Sequence, residues 1–480
     1  MTIESWLPAL LGYFMPIGLF LLAWGGMEPE RARRSATAGA LALALGTVGY
    51  FATGFAFHLG GAGLVSDHPG LEALARLFAG EGGLGWGLVG LEGFFLAGDA
   101  ATPEALALFF TYLPTVVSAV LLTVLSLSGQ TRGWQTVVTG LLVGGILFPV
   151  AACWTWGGGW LANLGTTLER GHGFVDHGGS GTVYLLGGTA ALGALTALGR
   201  RLPCDTSSQP DEMPPAHFPL LANLGALLFG LGWLGWSIST PFHATGAELS
   251  LPHIAVNGLL AGAGAILAAQ CYSWFTTGSA DALMSARGMV AGFIAVSAGA
   301  PFVPPLAALV IGLVAGALLP VAVYVVERLL LLPDATATAA LGVPAGAWGL
   351  LAVALFSNGR WGRGWNGVGL DEYLAVPSQG VTGFLPAAGL AGNGQGQMVA
   401  QLVGLGAIAL SVWLVSWIMC SVLHIPYRQR GFGAERASAI SAVERHLNLK
   451  ASLSRWKERK GKTESTDLAV GSDKSIEFRG

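Results

Sequence analysis

The stretch DHGGSGTVYLLGGTAALGAL, Asp176 to Leu195, sets one carboxylate at the head of a glycine-rich run that holds no other charge. A carboxylate there can accept hydrogen bonds from the orphan backbone N–H groups of a helix start, and it sits favourably against the positive end of the helix dipole. A charge at the edge of an apolar segment is also a functional candidate, because keeping it there is costly. Tyr184 follows two turns into the same run. A phenol offers one hydrogen bond and, with an ordinary pKa near 10, relays protons poorly at neutral pH. His172 and His177 stand just upstream and, with no third ligand evident, read as loop residues rather than a metal pair. No nucleophile–base pair or metal cluster is visible, so no enzyme, cofactor or metal is expected.

Composition names the elements that must position these residues. The chain has 480 residues, 53% hydrophobic and 11% charged, with 73 glycines and a mean hydropathy of +0.61. A soluble protein of this length would carry far more surface charge. Windows of roughly 20 apolar residues recur, while the alternation of membrane β-strands is absent. The expected fold is therefore an all-α polytopic membrane protein in a lipid bilayer. Eleven transmembrane helices are predicted, at about 8–25, 36–58, 104–127, 134–155, 178–198, 217–237, 252–275, 286–301, 304–327, 338–357 and 397–424. The eighth is short.

Basic residues set the orientation. With the first loop inside, Arg31, Arg33, Arg34, Arg132, Arg200, Arg201, Arg287 and Arg328 lie on the inner side, against Arg76, Arg170, Arg360 and Arg363 outside. An odd number of spans then puts the N-terminus outside and the C-terminus inside. The net charge of −3 identifies no partner, and no nucleic acid is expected. Residues 1–427 form the membrane domain and 428–480 a cytoplasmic tail, helical around Ala434 to Lys460 and then disordered. The run SRWKERKGK in that tail suits either anionic lipid or plain solvent.

SGTVYLLGGTAALGALTAL opens the fifth span and TATAALGVPAGAWGLLAVAL the tenth; both are rich in glycine and threonine. A five-span offset reverses direction in the membrane, so the echo suits an inverted five-helix repeat followed by a final long helix. Small residues that permit close helix packing explain the same pattern.

TWGGGWLANLG from Thr155, then Asp176 and DHGGSGTVY, resembles the ammonium transporter (Amt/Mep/Rh) family, as do MPIGLFLLAWGGM, FGLGWLGWSIST and SADALMSARGMVAGFIAVSAGAPFV. The resemblance runs to about His424. It implies an outer recruitment site of Trp156, Trp236 and Thr240, held together by Asp176, where aromatic faces and a hydroxyl would suit a cation or amine. Membrane-interface belting accounts for the same tryptophans without a ligand. Beneath lies a pore gate, with Phe110 matching its first ring, Pro114 falling at the second, and Tyr112 available to rebuild it.

The family's two pore histidines are missing: Tyr184 and Pro344 stand at the pore centre. An ammonium ion entering an apolar pore must lose its proton or find replacement acceptors, and imidazole serves both needs. Either the Tyr184 hydroxyl faces a carbonyl that Pro344 frees one turn earlier, or Tyr184 is packed and bonded to a neighbouring helix. The other histidines fall in or beside loops or past the last span. Three readings stand: a channel or transporter of the cell (plasma or inner) membrane with a remodelled pore, passing ammonium, ammonia or a related small amine or neutral solute; a non-conducting ammonium sensor; or a structural membrane subunit. The resemblance also implies a homotrimer and a cytosolic partner of the PII regulator type.

Overall fold

The structure, a computed structural model, describes residues 3–66, 69–80, 83–128, 130–131, 133–199, 218–239, 243, 247–334 and 336–423. The helix expected in the tail and the boundary at 427/428 lie outside them. The chain divides into two units, Met1–Cys420 and Ser421–Gly480, the first of which holds the helical bundle.

Ten helices among the described residues are long and apolar enough to cross a membrane. They are α1 (Leu7–Gly26), α2 (Ala38–Val65), α3 (Pro103–Ser126), α4 (Gly133–Thr155), α5 (Ser180–Leu198), α6 (Pro219–Ile238), α7 (Leu251–Thr277), α9 (Pro305–Leu329), α10 (Thr338–Phe356) and α11 (Gly394–Leu423). A shorter apolar helix, α8 (Ala282–Val296), stands between α7 and α9. The bundle is a multi-pass membrane fold. Its outward side chains include Phe275 at 92% exposed and Leu410 at 71%, which suits hydrocarbon rather than water.

Helix α8 begins about one turn before its hydropathy window. Asp281 Oδ1 accepts from the N–H groups of Leu283 (2.8 Å) and Met284 (3.1 Å), capping the start. This corrects the placement of Arg287 in a loop. It lies inside α8, 8% exposed, and its guanidinium donates to the Thr336 carbonyl at 3.1 Å. A hydrophobic window counts arginine as an end, whereas a satisfied guanidinium is tolerated within a helix.

Helix α3 opens on Thr102, whose hydroxyl accepts from the Ala105 N–H, with Pro103 next. Pro114 lies further in and lacks an N–H, leaving the Phe110 carbonyl without its helical donor. The Tyr13 hydroxyl of α1 donates to that carbonyl at 3.1 Å.

Two short hairpins occupy the long connections. β1 (Leu77–Ala79) pairs antiparallel with β2 (Gly87–Gly90) between α2 and α3. β3 (Glu372–Tyr373) pairs with β4 (Val376–Pro377) between α10 and α11.

Candidate functional site

The turn that begins at Asp176 organises the site. Asp176 is fully buried, and its Oδ2 accepts from the backbone N–H of Gly181 (3.0 Å), the N–H of Thr182 (2.8 Å) and the Thr182 hydroxyl (2.8 Å). Burial pushes its pKa up to about 6, partly offset by these hydrogen bonds. Its carbonyl accepts from Trp156 Nε1 at 2.8 Å, and two residues later the Gly178 carbonyl accepts from Trp236 Nε1 at 3.2 Å. One turn thus anchors both indoles. Gly179 adopts φ +91°, and a Cβ there would lie 2.4 Å from Val183 Cγ2, so both conformation and space call for glycine.

The indole rings of Trp156 and Trp236 lie 5.9 Å apart between centroids. Tyr112 closes the group from α3, at 5.8 Å from Trp156 and 5.5 Å from Trp236. The ring of Phe110 lies 4.9 Å from that of Tyr13. Residues two apart on a helix point to nearly opposite sides, so Tyr112 and Phe110 cannot share one face. Pro114 serves the α1–α3 contact instead, through the carbonyl that it frees. Of the residues expected at the gate, Tyr112 has its ring against both indoles. Thr240 lies outside the described residues.

His243 covers Trp156. Its ring stacks on the indole with centroids 4.8 Å apart and planes 10° from parallel. Its Nε2 donates to the His177 carbonyl at 2.8 Å, which leaves Nδ1 to accept from the Tyr112 hydroxyl at 2.9 Å. Burial, and then neighbouring His177, hold His243 well below the usual histidine range. Burial likewise lowers His177 to about 4 and His172 to about 3. A cavity of about 410 Å³ opens above, lined by Trp156, His243, Trp365 and Asn163 among others. Among the described residues, no group of three or more His, Cys, Asp or Glu side chains could hold a metal.

At mid-bundle α5 and α10 cross with opposite directions. A Cβ on Gly346 would lie 2.4 Å from the Ser180 carbonyl oxygen, and one on Gly342 would lie 2.5 Å from that of Tyr184. At the head of α10, Asp334 repeats the cap of Asp176: its Oδ2 accepts from the Ala340 N–H, six residues on, as Asp176 does from Thr182. Its Oδ1 accepts from the Ser126 hydroxyl at 2.7 Å, and burial raises its pKa.

With the two acids aligned, the equivalent of Tyr184 is Gly342, not Pro344. Pro344 lies two residues beyond, inside an unbroken α10. The hydroxyl of Tyr184 does not bond the carbonyl that Pro344 frees one turn earlier. It donates to Met15 Sδ of α1 at 3.4 Å, and its ring packs edge-on against Phe229 of α6 at 5.8 Å. Of the two readings of Tyr184, the packed tyrosine bonded to a neighbouring helix is the one observed.

Four residues of this region were not assigned to it from sequence: His58, His243, Trp365 and Asp334. Three had a signal. His58 interrupts the apolar run FATGFAFHLGG, His243 follows Trp236 by seven residues, and Asp334 heads the tenth apolar run as Asp176 heads the fifth. His58 lies within α2, fully buried, rather than in a loop.

A sequence profile of the Ammonium Transporter Family matches residues 6–428. Ammonium transporter Amt2 of Archaeoglobus fulgidus is 28% identical over 420 residues, covering 86% of this chain and 81% of that one. Ammonium transporter 1 member 3 of Solanum lycopersicum is 27% identical over 449 residues, covering 91% and 88%. Among solved structures, Candida albicans Mep2 superposes with a TM-score of 0.67 at 21% identity, over 88% of this chain and 83% of that one. A sensor Amt protein gives the same score and identity over 88% and 92%. These two likenesses show the fold.

Proposed function

The chain belongs to the Ammonium Transporter Family, and on that premise we propose that it is a channel or transporter for ammonium, ammonia or a related small amine or neutral solute, with a remodelled pore. One observation carries the reading: two neighbouring indoles have their N–H groups tied to a single backbone turn, and one of them, Trp156, lines a cavity of about 410 Å³. Tied N–H groups fix the ring planes, and a fixed aromatic face attracts a small cation by about 0.5–2 kcal/mol when partly dry. In this proposal Asp176 holds the recruitment site without touching solute. Tyr112 is the gate, and the solute passes Tyr184 and Gly342 by a route lined with few polar groups. The protein would sit in the cell membrane with its N-terminus outside, assemble as a homotrimer, and offer its tail to a PII-type regulator.

A second reading, a non-conducting sensor, is favoured by the absence of imidazole at the α5–α10 crossing, where Tyr184 is bonded to Met15 and Gly342 has no side chain. Methylammonium uptake and ammonium-evoked current in liposomes holding the purified chain decide between them. Uptake supports conduction. Methylammonium binding without uptake or current overturns it in favour of the sensor.

A further inference from the structure

Below Trp156 the aromatic layer holds a second imidazole. His58 of α2 is fully buried. The rings of Tyr112 (4.7 Å between centroids), Phe148 (6.2 Å) and Trp156 (6.2 Å) surround it. Its Nδ1 is engaged with the Tyr50 hydroxyl at 2.9 Å, while its Nε2 has no hydrogen-bond partner among the described residues.

A neutral imidazole always has one N–H and one bare nitrogen. If the Tyr50 hydroxyl donates to Nδ1, Nε2 carries the proton and needs an acceptor; if Nδ1 donates to Tyr50, Nε2 is bare and needs a donor. Both tautomers leave one unmatched polar atom in a shell of hydrocarbon rings, and buried polar atoms are rarely left so. A partner that satisfies either tautomer must be small, uncharged, and equipped with both an N–H or O–H and a lone pair. Ammonia, methylamine and water all meet these conditions, and of these the amines are the solutes of the reading above. A fixed ammonium ion, which has no lone pair, meets only one tautomer.

We propose that Nε2 of His58 is a solute-binding site for a small neutral amine, reached past Trp156 and Tyr112, and that it supplies the imidazole contact lacking at Tyr184 and Gly342. This rests on the conducting reading above. His58 belongs to α2, away from the α5–α10 crossing, so polar contact with the solute is made within the aromatic layer.

The test compares methylammonium uptake in liposomes for the full native chain, a Tyr50→Phe/His58→Leu double variant, and His58→Gln. The double variant removes both ends of the Tyr50–His58 bond and so leaves no new orphan. Melting midpoints in detergent and methylammonium quenching of tryptophan fluorescence run alongside. Loss of one buried hydrogen bond to the solute predicts uptake about tenfold lower in the double variant. Quenching and melting should stay near native values, and His58→Gln, which restores a donor and an acceptor, should recover most of the uptake. Native uptake matched by the double variant overturns this inference alone. An uptake loss that tracks a lower melting midpoint and that glutamine does not rescue also overturns it, leaving His58 a structural part. Silence in the native chain overturns the conducting reading and this inference with it.

Discussion

Replacing Asp176 by asparagine separates the two forces that act on its carboxylate. Three hydrogen bonds reach Oδ2, while Oδ1 has no partner among the described residues. Burial dominates, and the pKa rises from an ordinary 3.8 to about 6. A carboxyl whose folded pKa is raised binds its proton more tightly in the folded state, so its contribution to stability is fully present below about pH 4 and lost as pH rises through 6. A shift of about two units at ~1.36 kcal/mol each amounts to roughly 3 kcal/mol by pH 7. Asparagine keeps an oxygen for the Gly181 and Thr182 donors and never ionises, but its amide N–H groups enter the unpartnered side at a cost of about 1–3 kcal/mol. Asp176→Asn should therefore be less stable than the native chain near pH 4 and equal to it or better near pH 7. Melting midpoints of both proteins in one detergent, taken every half unit between pH 4 and 7.5, measure the difference. Asp334 titrates in both and cancels. Because Trp156 bonds the backbone carbonyl of residue 176 and not the carboxylate, methylammonium quenching of tryptophan should change by less than about threefold, as expected for loss of an electrostatic contribution near ~0.6 kcal/mol. A native advantage that grows with pH would refute the reasoning. It would mean that hydrogen bonds, or a cation seated nearby, hold the carboxylate charged.

Three further perturbations test other parts of the site. Gly342→Ala places a methyl 2.5 Å from the Tyr184 carbonyl oxygen, and should cost about 1–3 kcal/mol through separation of α5 and α10, read as a lower melting midpoint; an unchanged midpoint would show that the crossing is loose. His243→Ala uncovers one face of Trp156 and should raise iodide quenching of its fluorescence and tighten methylammonium binding, whereas weaker binding would make the imidazole part of the recruitment site. Tyr184→Phe removes only the contact with Met15 Sδ, so uptake should hold within about twofold, the worth of one weak sulfur hydrogen bond; a large fall would put the hydroxyl in contact with solute.

The helices and the Asp176 turn were legible because their signals are local. An apolar run longer than about 18 residues has few alternatives to a span, and an acid before a glycine-rich run reads as a cap. Trp156 and Trp236 could be named because each sits in a short motif, and both proved to hang from the Asp176 turn. What stayed hidden depends on phase and distance. Phe110 and Tyr112 lie two residues apart and so on nearly opposite helix faces, and only the phase of the folded helix shows which of them meets the indoles. Pro344 was two residues out because the register of α10 is set by Asp334 and its bond to Ala340, visible only once both caps are compared. His58 and His243 lie 185 positions apart yet both contact Trp156, a meeting that no local pattern announces.

The matched caps at Asp176 and Asp334 make the contrast at the crossing meaningful. Helices related by an inverted repeat tend to present equivalent positions to each other where they cross, and Tyr184 and Gly342 do meet there, backbone to backbone. Equal side chains at that point would share one duty. A phenol opposite a glycine divides it: the ring leans towards Met15 and Phe229, and the glycine yields its volume to the backbone of the partner helix. Hydrogen-bonding side chains are richer on the other side of Trp156, where Tyr50, His58, Tyr112 and His243 pair through two bonds of 2.9 Å. For the proposed solute, dehydration would then be compensated within the aromatic layer before the crossing is reached. On this account, restoring imidazole at residue 184 alone adds a second polar station and not a missing first one. At residue 342 the 2.5 Å approach leaves no room for any side chain without moving α10.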